Sequence, residues 1–290
     1  MYRKYEAPEK PSGFRVSDVQ AYLKNVTKTL EDFITHKSGG SNSWVISGDH
    51  TKSGKPLFVN DPHLKNSMPS TWHLSHIQFP DGKFISGACI PGLPFYAVFS
   101  TESTSGGVTS IFADNSDIYE EKLENDTYLF NGSYLPLEKR EEIIKVRWEG
   151  ERKYVVKSTH HGPLINKNSF MMNEIIPMFP ILLPDGDFSL KWTGLNPFLE
   201  NGFESTYYGM FANNTLDALD LLRKSKGMSQ NIILADKYNN IAFGPSGHYP
   251  IRSHPQLGNR ISRGWMGENE WEGFYTANDK PYLLNPKKGN

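Results

Sequence analysis

Ser41 is the residue best placed to do chemistry in this chain. It follows Gly39-Gly40 and leads into Asn42-Ser43-Trp44-Val45-Ile46, which reads as a strand core. Two glycines open backbone conformations, including φ > 0, that are closed to ordinary residues. If the Gly40–Ser41 peptide bond were broken, Ser41 would carry its hydroxyl and its own α-amine on one residue. A free α-amine has a pKa of about 7.7–8.0, so it can accept a proton near neutral pH. Nucleophile and base would then come together, the arrangement of an N-terminal nucleophile. Gly-Gly-Ser also describes a flexible loop, and these residues alone leave both readings open.

The elements around Ser41 decide what can reach it. Residues 43–48 and 56–60 read as two strands flanking the polar turn Asp49-His50-Thr51-Lys52-Ser53-Gly54. An antiparallel hairpin returns to its start, so Asn60-Asp61-Pro62-His63-Leu64 should end beside Ser41. That brings His63 near the serine, although a histidine next to proline is also an ordinary loop residue. Upstream, Ser17-Asp18-Val19-Gln20 fits a capping box. Val19, Tyr22, Leu23, Val26, Leu30, Phe33 and Ile34 follow on one helical face, and the helix should end near His36. A second helix is expected over 216–224, capped by Asn214 or Thr215 and stopped by Gly227. Residues 231–236 and 240–243 read as a hairpin around Lys237-Tyr238-Asn239, and Trp265, Trp271 and Phe274 should pin the loop-rich end.

Composition narrows the classes. The 290 residues carry 31 Lys+Arg against 32 Asp+Glu, so a net charge of -1 gives no electrostatic case for nucleic acid. No apolar run reaches about 18 residues, so no membrane partner is expected. Cys89 is the one cysteine, which rules out an intrachain disulfide and suits a small core residue. His160-His161 invites a metal reading. Adjacent histidines on a strand point to opposite faces, however, and no metal-ligand spacing accompanies them, so a structural role in the His-Gly-Pro turn is expected. The proline-broken apolar stretch 175–184 reads as a wall of a pocket or of the core.

Taken together, several blocks resemble the penicillin acylase (penicillin amidase) family. They begin with Gly40-Ser41-Asn42-Ser43-Trp44-Val45-Ile46-Ser47-Gly48 and Pro56-Leu57-Phe58-Val59-Asn60-Asp61-Pro62-His63-Leu64. Pro91-Gly92-Leu93-Pro94, Gly107-Val108-Thr109-Ser110 and the run from Ala113 to Leu123 follow in the family's order. His161-Gly162-Pro163, Leu190-Lys191-Trp192-Thr193-Gly194, Leu234-Ala235-Asp236 and Trp271-Glu272-Gly273-Phe274 complete the set. The likeness runs from about residue 20 to the C-terminus.

The resemblance implies an α+β fold, an αββα sandwich of two mainly antiparallel sheets, incomplete here at both ends. It implies 1–40 as the end of an α-chain region with its linker, and 41–290 as a truncated β-chain domain. Self-cleavage at Gly40–Ser41 would free Ser41 as nucleophile, with His63 orienting its amine and the backbone N–H of Ser110 as an oxyanion donor. Leu64 and Val108 match positions near the acyl pocket and suggest an apolar acyl chain. Asp114, Ser116 and Asp117 match a segment that binds calcium in some members, so a structural Ca2+ is one expectation and a self-capping turn the other. No cofactor is implied for catalysis.

The implied activity is hydrolysis of a small N-acyl compound such as a β-lactam or an acyl-homoserine lactone. The implied partners are that substrate, the missing α-chain and the rest of the β-chain. In the family a second oxyanion donor, an asparagine, would lie beyond Asn290, so the chain alone is expected to be a poor enzyme. The alternative is a catalytically inactive fragment or degenerate relative with a binding or structural role.

Overall fold

The computed structural model describes residues 40–64, 67–165, 185–195, 202–253, 258 and 260–288. The helix expected before His36, Gly39 and the stretch 175–184 lie outside them. The described chain begins with a hairpin of β1 (Ser41–Ile46) and β2 (Leu57–Pro62). Then come β3 (His73–Gln78), β4 (Phe84–Cys89), β5 (Tyr96–Thr101), β6 (Thr104–Ser110) and β7 (Ser116–Glu121). Short strands β8 (Leu123–Glu124), β9 (Thr127–Phe130) and β10 (Ser133–Pro136) form one small sheet. A long hairpin of β11 (Glu138–Val146) and β12 (Gly150–Thr159) continues into β13 (Gly162–Pro163). After β14 (Asp187–Trp192) come helices α1 (Gly202–Met210) and α2 (Thr215–Lys224). The chain closes with β15 (Gln230–Asp236), β16 (Ile241–Ser246), β17 (Pro250–Arg252), β18 (Ser262–Arg263), β19 (Trp271–Phe274) and β20 (Leu283–Leu284).

Seven strands make the main sheet, in the order β20-β16-β15-β6-β5-β4-β3, with every pair antiparallel. Strand alternation sends successive side chains to opposite faces, and β15 shows the result. Ile232 and Leu234 join Ile85, Phe99, Met210, Ala218, Leu219 and Leu222 beneath the two helices. Ile233 and Ala235 face the other way, against Val45 and Phe58 of the β1–β2 hairpin. Helices, sheet and hairpin therefore stack as three layers of an α+β sandwich. Burying a Val or Ile contributes about 1.5–3 kcal/mol, and Val45, Ile233 and Ile241 are all buried at the hairpin contact. At the hairpin's far end the backbone N–H of Gly48 donates to Asn239 Oδ1 at 2.6 Å.

The second helix forms as its sequence suggests. Asn214 is the N-cap, its side chain accepting from Asp217 N at 2.9 Å, and the helix ends at Lys224 with Ser225 as its C-cap, two residues before the expected Gly227. Buried Asp236 joins this helix to the β15–β16 turn. Its carboxylate accepts from Thr215 N, Tyr238 N and Asn240 N at 2.9–3.0 Å. Burial alone would raise its pKa, but these hydrogen bonds hold it below the ordinary value.

A second region is built around β7. It lies between β14, which pairs antiparallel, and β18, which pairs parallel. Among the described residues no helix is long and apolar enough to cross a membrane.

Candidate active site

Ser41 opens β1 directly across from Pro62, so the hairpin does bring His63 to the serine. The Gly40 carbonyl oxygen accepts two hydrogen bonds of 2.7 Å, one from the His63 backbone N–H and one from Ser41 Oγ. The His63 ring follows its own strand back. Its Nε2 is 2.8 Å from Asp61 Oδ2 and 3.5 Å from Asn42 Nδ2. Asp61 is not singled out by the sequence; it is the second-last residue of β2, and the His63 ring, just past the strand's end, turns back to it. Gly40 does not use the left-handed backbone region, and a Cβ built on it would lie 3.9 Å from His63 Nδ1. The conformational freedom expected of that glycine is therefore not drawn on in this structure.

Ser110 ends β6, exposed, opposite Gln230. Its position relative to Ser41 follows from two contacts of β2. Lys55, just before β2, reaches the Lys237 carbonyl, and Lys237 N in turn donates to the Ser103 carbonyl at the start of β6. Further along, Asn60 Nδ2 donates to the Val108 carbonyl at 3.1 Å. β2 and β6 thus run in the same direction and finish at the same end of the sandwich, one at Pro62 beside Ser41 and the other at Ser110. Gly107 permits this approach, since a Cβ there would lie 2.8 Å from Asn60 Nδ2.

The two residues expected at the acyl pocket lie apart. Leu64 is exposed just past His63, on the hairpin side, whereas the Val108 side chain packs into the core beneath the helices. Val108 lines an apolar cavity of about 200 Å³ with Phe95, Phe203, Met210 and Ile232. Gln230, the strand partner of Ser110, lines it too. On the hairpin side, a groove of about 660 Å³ runs past Asn60, Pro62, Trp72 and Leu74.

The paired histidines lie elsewhere. The chain leaves β12 at Thr159 and turns, so His160 and His161 are not strand neighbours on opposite faces, and their rings sit 3.8 Å apart. His161 is fully buried, stacked on Tyr119 at 3.8 Å, with Nδ1 2.8 Å from Glu121 and Nε2 2.7 Å from Glu270. Thr159 and Ser189 hydroxyls donate to the same Glu121 oxygen at 2.8 and 2.6 Å. Burial by itself would lower the His161 pKa, but hydrogen bonds to Glu121 and Glu270 outweigh it and raise the pKa above the ordinary value. Burial likewise works to raise Glu270, and the bonds from His160 and His161, with the His161 and Lys191 charges, hold it well below the usual carboxylate range. Ligand atoms of His160, His161 and Glu270 lie within 4.8 Å of one another. A metal would need a lone pair on His161, yet both its ring nitrogens face carboxylates, and Lys191 holds the second Glu270 oxygen at 3.1 Å. The cluster is an ion-pair network.

At the residues expected to hold calcium, the structure places a side-chain cation. The Arg252 guanidinium reaches Asp117 Oδ2 at 2.8 Å, Asp114 Oδ1 at 3.1 Å, and the carbonyls of Asp114 and Ser116 at 3.2 and 3.5 Å.

Comparison with known proteins agrees with this architecture. The penicillin amidase family model matches residues 4–290. Acyl-homoserine lactone acylase QuiP of Pseudomonas aeruginosa is 28% identical over 253 residues, covering 86% of this chain and 29% of the relative. Penicillin acylase 2 proenzyme of Pseudomonas sp. (strain SE83) is 24% identical over 254 residues, covering 87% and 31%. The chain thus spans about a third or less of the length of these curated relatives. A thermostable penicillin G acylase from Alcaligenes faecalis superposes with a TM-score of 0.70 at 23% identity, over 87% of this chain and 43% of that one, which speaks for the fold. On the family match across nearly its whole length, the chain belongs to the penicillin amidase family.

Proposed function

We propose that this chain carries the nucleophile of an amide hydrolase that removes an apolar acyl group from a small N-acyl compound. The observation that carries the reading is the Gly40 carbonyl. It is held by the His63 N–H with Ser41 Oγ beside it. In self-cleavage, Oγ attacks the Gly40 carbonyl carbon, and negative charge develops on the oxygen that the His63 N–H already grips. A donor fixed at that position is the kind that stabilises such a charge best. The Gly40–Ser41 C–N bond then breaks, and the hydroxyl proton passes to the departing Ser41 nitrogen. The resulting ester is opened by water, which leaves a Gly40 carboxylate and a free Ser41 amine.

The freed amine takes the proton from Oγ as Ser41 attacks a substrate amide. His63, steadied by Asp61, orients that amine. The Ser110 N–H, at the same end of the sandwich, takes the oxyanion role. The acyl-enzyme is hydrolysed by water. An N-acyl substrate is supported by the named activities of the relatives, and an apolar acyl group by the apolar cavity at the Ser110–Gln230 end. Their names include a homoserine-lactone acylase and penicillin acylases, so both kinds of N-acyl amine belong in the assay.

Intact-mass analysis of the full polypeptide should give two chains, one beginning at Ser41, with turnover of chromogenic N-acyl amides. Ser41→Ala should stay one inactive chain. Active protein still joined at Gly40–Ser41 would overturn the mechanism.

A further inference from the structure

We propose that Arg252 serves as a built-in cation at the Asp114–Ser116–Asp117 cluster, so that this site holds the fold together without a metal ion. Arg252 ends β17, where the register on β19 shifts by one residue: Ile251 faces Gly273 and Arg252 faces Trp271, with Glu272 as the extra residue on β19. That register sets Arg252 opposite Trp271, and both side chains reach Asp117 at the start of β7. Its side chain is 6% exposed, and that of Asp117 only 3%. Nε donates to Asp117, one terminal nitrogen donates to the Asp114 carbonyl, and the other donates to the Asp114 carboxylate and the Ser116 carbonyl. The Trp271 indole N–H donates to the same Asp117 oxygen. Two carboxylates and two carbonyls thus converge on one positive group, which is the donor set a hard divalent cation would want.

A calcium ion needs oxygens at about 2.3–2.6 Å. To reach these four it would have to occupy the volume now filled by the guanidinium, and the two positive charges would repel. One cation excludes the other. The guanidinium also does what a structural metal does mechanically. It ties the loop before β7, the first residues of β7 and the β17–β19 ribbon at a single point.

Two consequences are measurable. Thermal unfolding of the purified protein should give the same Tm in excess EDTA and in millimolar Ca2+. A Tm that falls in EDTA and recovers with Ca2+ would overturn the proposal, whatever any variant does. Arg252→Ala leaves Asp117 buried and unpaired, so Tm should fall by about 6–20 °C in EDTA. The vacated oxygens should then accept Ca2+, seen as a saturable recovery of Tm and as heat in a calcium titration. Arg252→Ala/Asp114→Asn should lose that response. A folded Arg252→Ala protein that ignores Ca2+ would overturn the claim that the arginine fills a cation's place. Should Arg252→Ala fail to fold, Arg252→Lys tests the same point. It keeps the charge but loses the fork, so it should fold with a smaller loss of Tm and remain indifferent to EDTA. Sensitivity of that variant to EDTA would count against the proposal.

Discussion

Two polar clusters in this molecule share residue types but differ in construction. Around Ser41 the groups are exposed and lightly tied. The His63 and Asp61 side chains are 46% and 61% exposed, and Asn42 reaches the His63 ring only at 3.5 Å. Around His161 the groups are sealed, with the His161 and Glu121 side chains wholly buried and the four hydrogen bonds among His161, Glu121, Glu270, Thr159 and Ser189 side chains at 2.6–2.8 Å. The lightly tied cluster can exchange partners with a substrate, while the sealed one is closed to it, even Glu121 Oε2, which has no hydrogen-bond partner among the described residues, being buried. The close charged contacts thus belong to scaffold, and the sparser arrangement is the one to which we assign the proposed chemistry.

The contrast is broken or sharpened by changing one histidine at a time. His63→Ala should lower kcat by roughly 10²–10⁴-fold, the scale for a positioned acid–base partner, and leave Tm nearly unchanged. Parallel turnover and melting curves check this. A large fall in Tm with normal kcat would exchange the roles of the two clusters. His161→Leu should do the reverse. Breaking a buried ion pair costs about 3–5 kcal/mol, so its urea midpoint should drop while kcat of the folded fraction holds.

The sealed cluster should also respond to pH with a definite sign. The folded-state pKa of His161 is raised, so its contribution is complete below the unfolded value of about 6.5 and is lost as pH climbs through the raised value. Glu270 is depressed, so its contribution is complete above the unfolded value of about 4.3 and is lost as pH falls toward the depressed value. The loss of urea midpoint on His161→Leu should therefore be largest between about pH 4.5 and 6.5 and shrink above that range. Taking this difference cancels His248, which burial and the Lys226 and Lys280 charges lower to about 4 and which contributes in the opposite sense. The scan belongs below the range where Lys280, lowered to about 8 by burial and by Arg223, contributes in the opposite sense. A difference flat from about pH 5 to 7 would mean that the His161 pKa is the same folded and unfolded, and one that grows with pH would mean that His161 folds neutral.

The smallest expected effects compare two glycines. Gly107→Ala pushes a methyl into Asn60 and its bond to Val108, an overpacking change of about 1–3 kcal/mol. Gly40→Ala meets only ordinary contact distance at 3.9 Å and should stay within about 0.5 kcal/mol. Melting curves of the two variants should separate in that order, and equal losses would mean that the hairpin is seated differently on β6.

Local grammar made part of this fold legible. The polar turn 49–54 and its flanking alternation announced the β1–β2 hairpin, and Asn214 announced its helix by the cap it forms. The proximity of His63 to Ser41 followed from hairpin geometry alone. What stayed hidden depends on distant partners or on a local bend. Arg252 meets Asp117 from 135 residues away, and no spacing rule connects them. The opposite-face placement of His160 and His161 fails because alternation holds only while a strand lasts, and β12 ends at Thr159, before either of them. Val108 matched a family position by sequence, but which side of the sheet it faces is fixed by the register of β6 on β15, a pairing between residues 104–110 and 230–236.

The bond from Gly48 to Asn239 joins groups 191 residues apart and marks where the Ser41 hairpin docks on β15 and β16. On a ribosome adding roughly 5–20 residues per second, that separation is about 10–40 s of synthesis. Throughout the interval Ser41 exists but its platform does not. Contacts of such long range also form slowly once the chain is free to make them. The hairpin therefore acts as a clock: chemistry that depends on its docked position waits until the sheet behind it has been made and assembled.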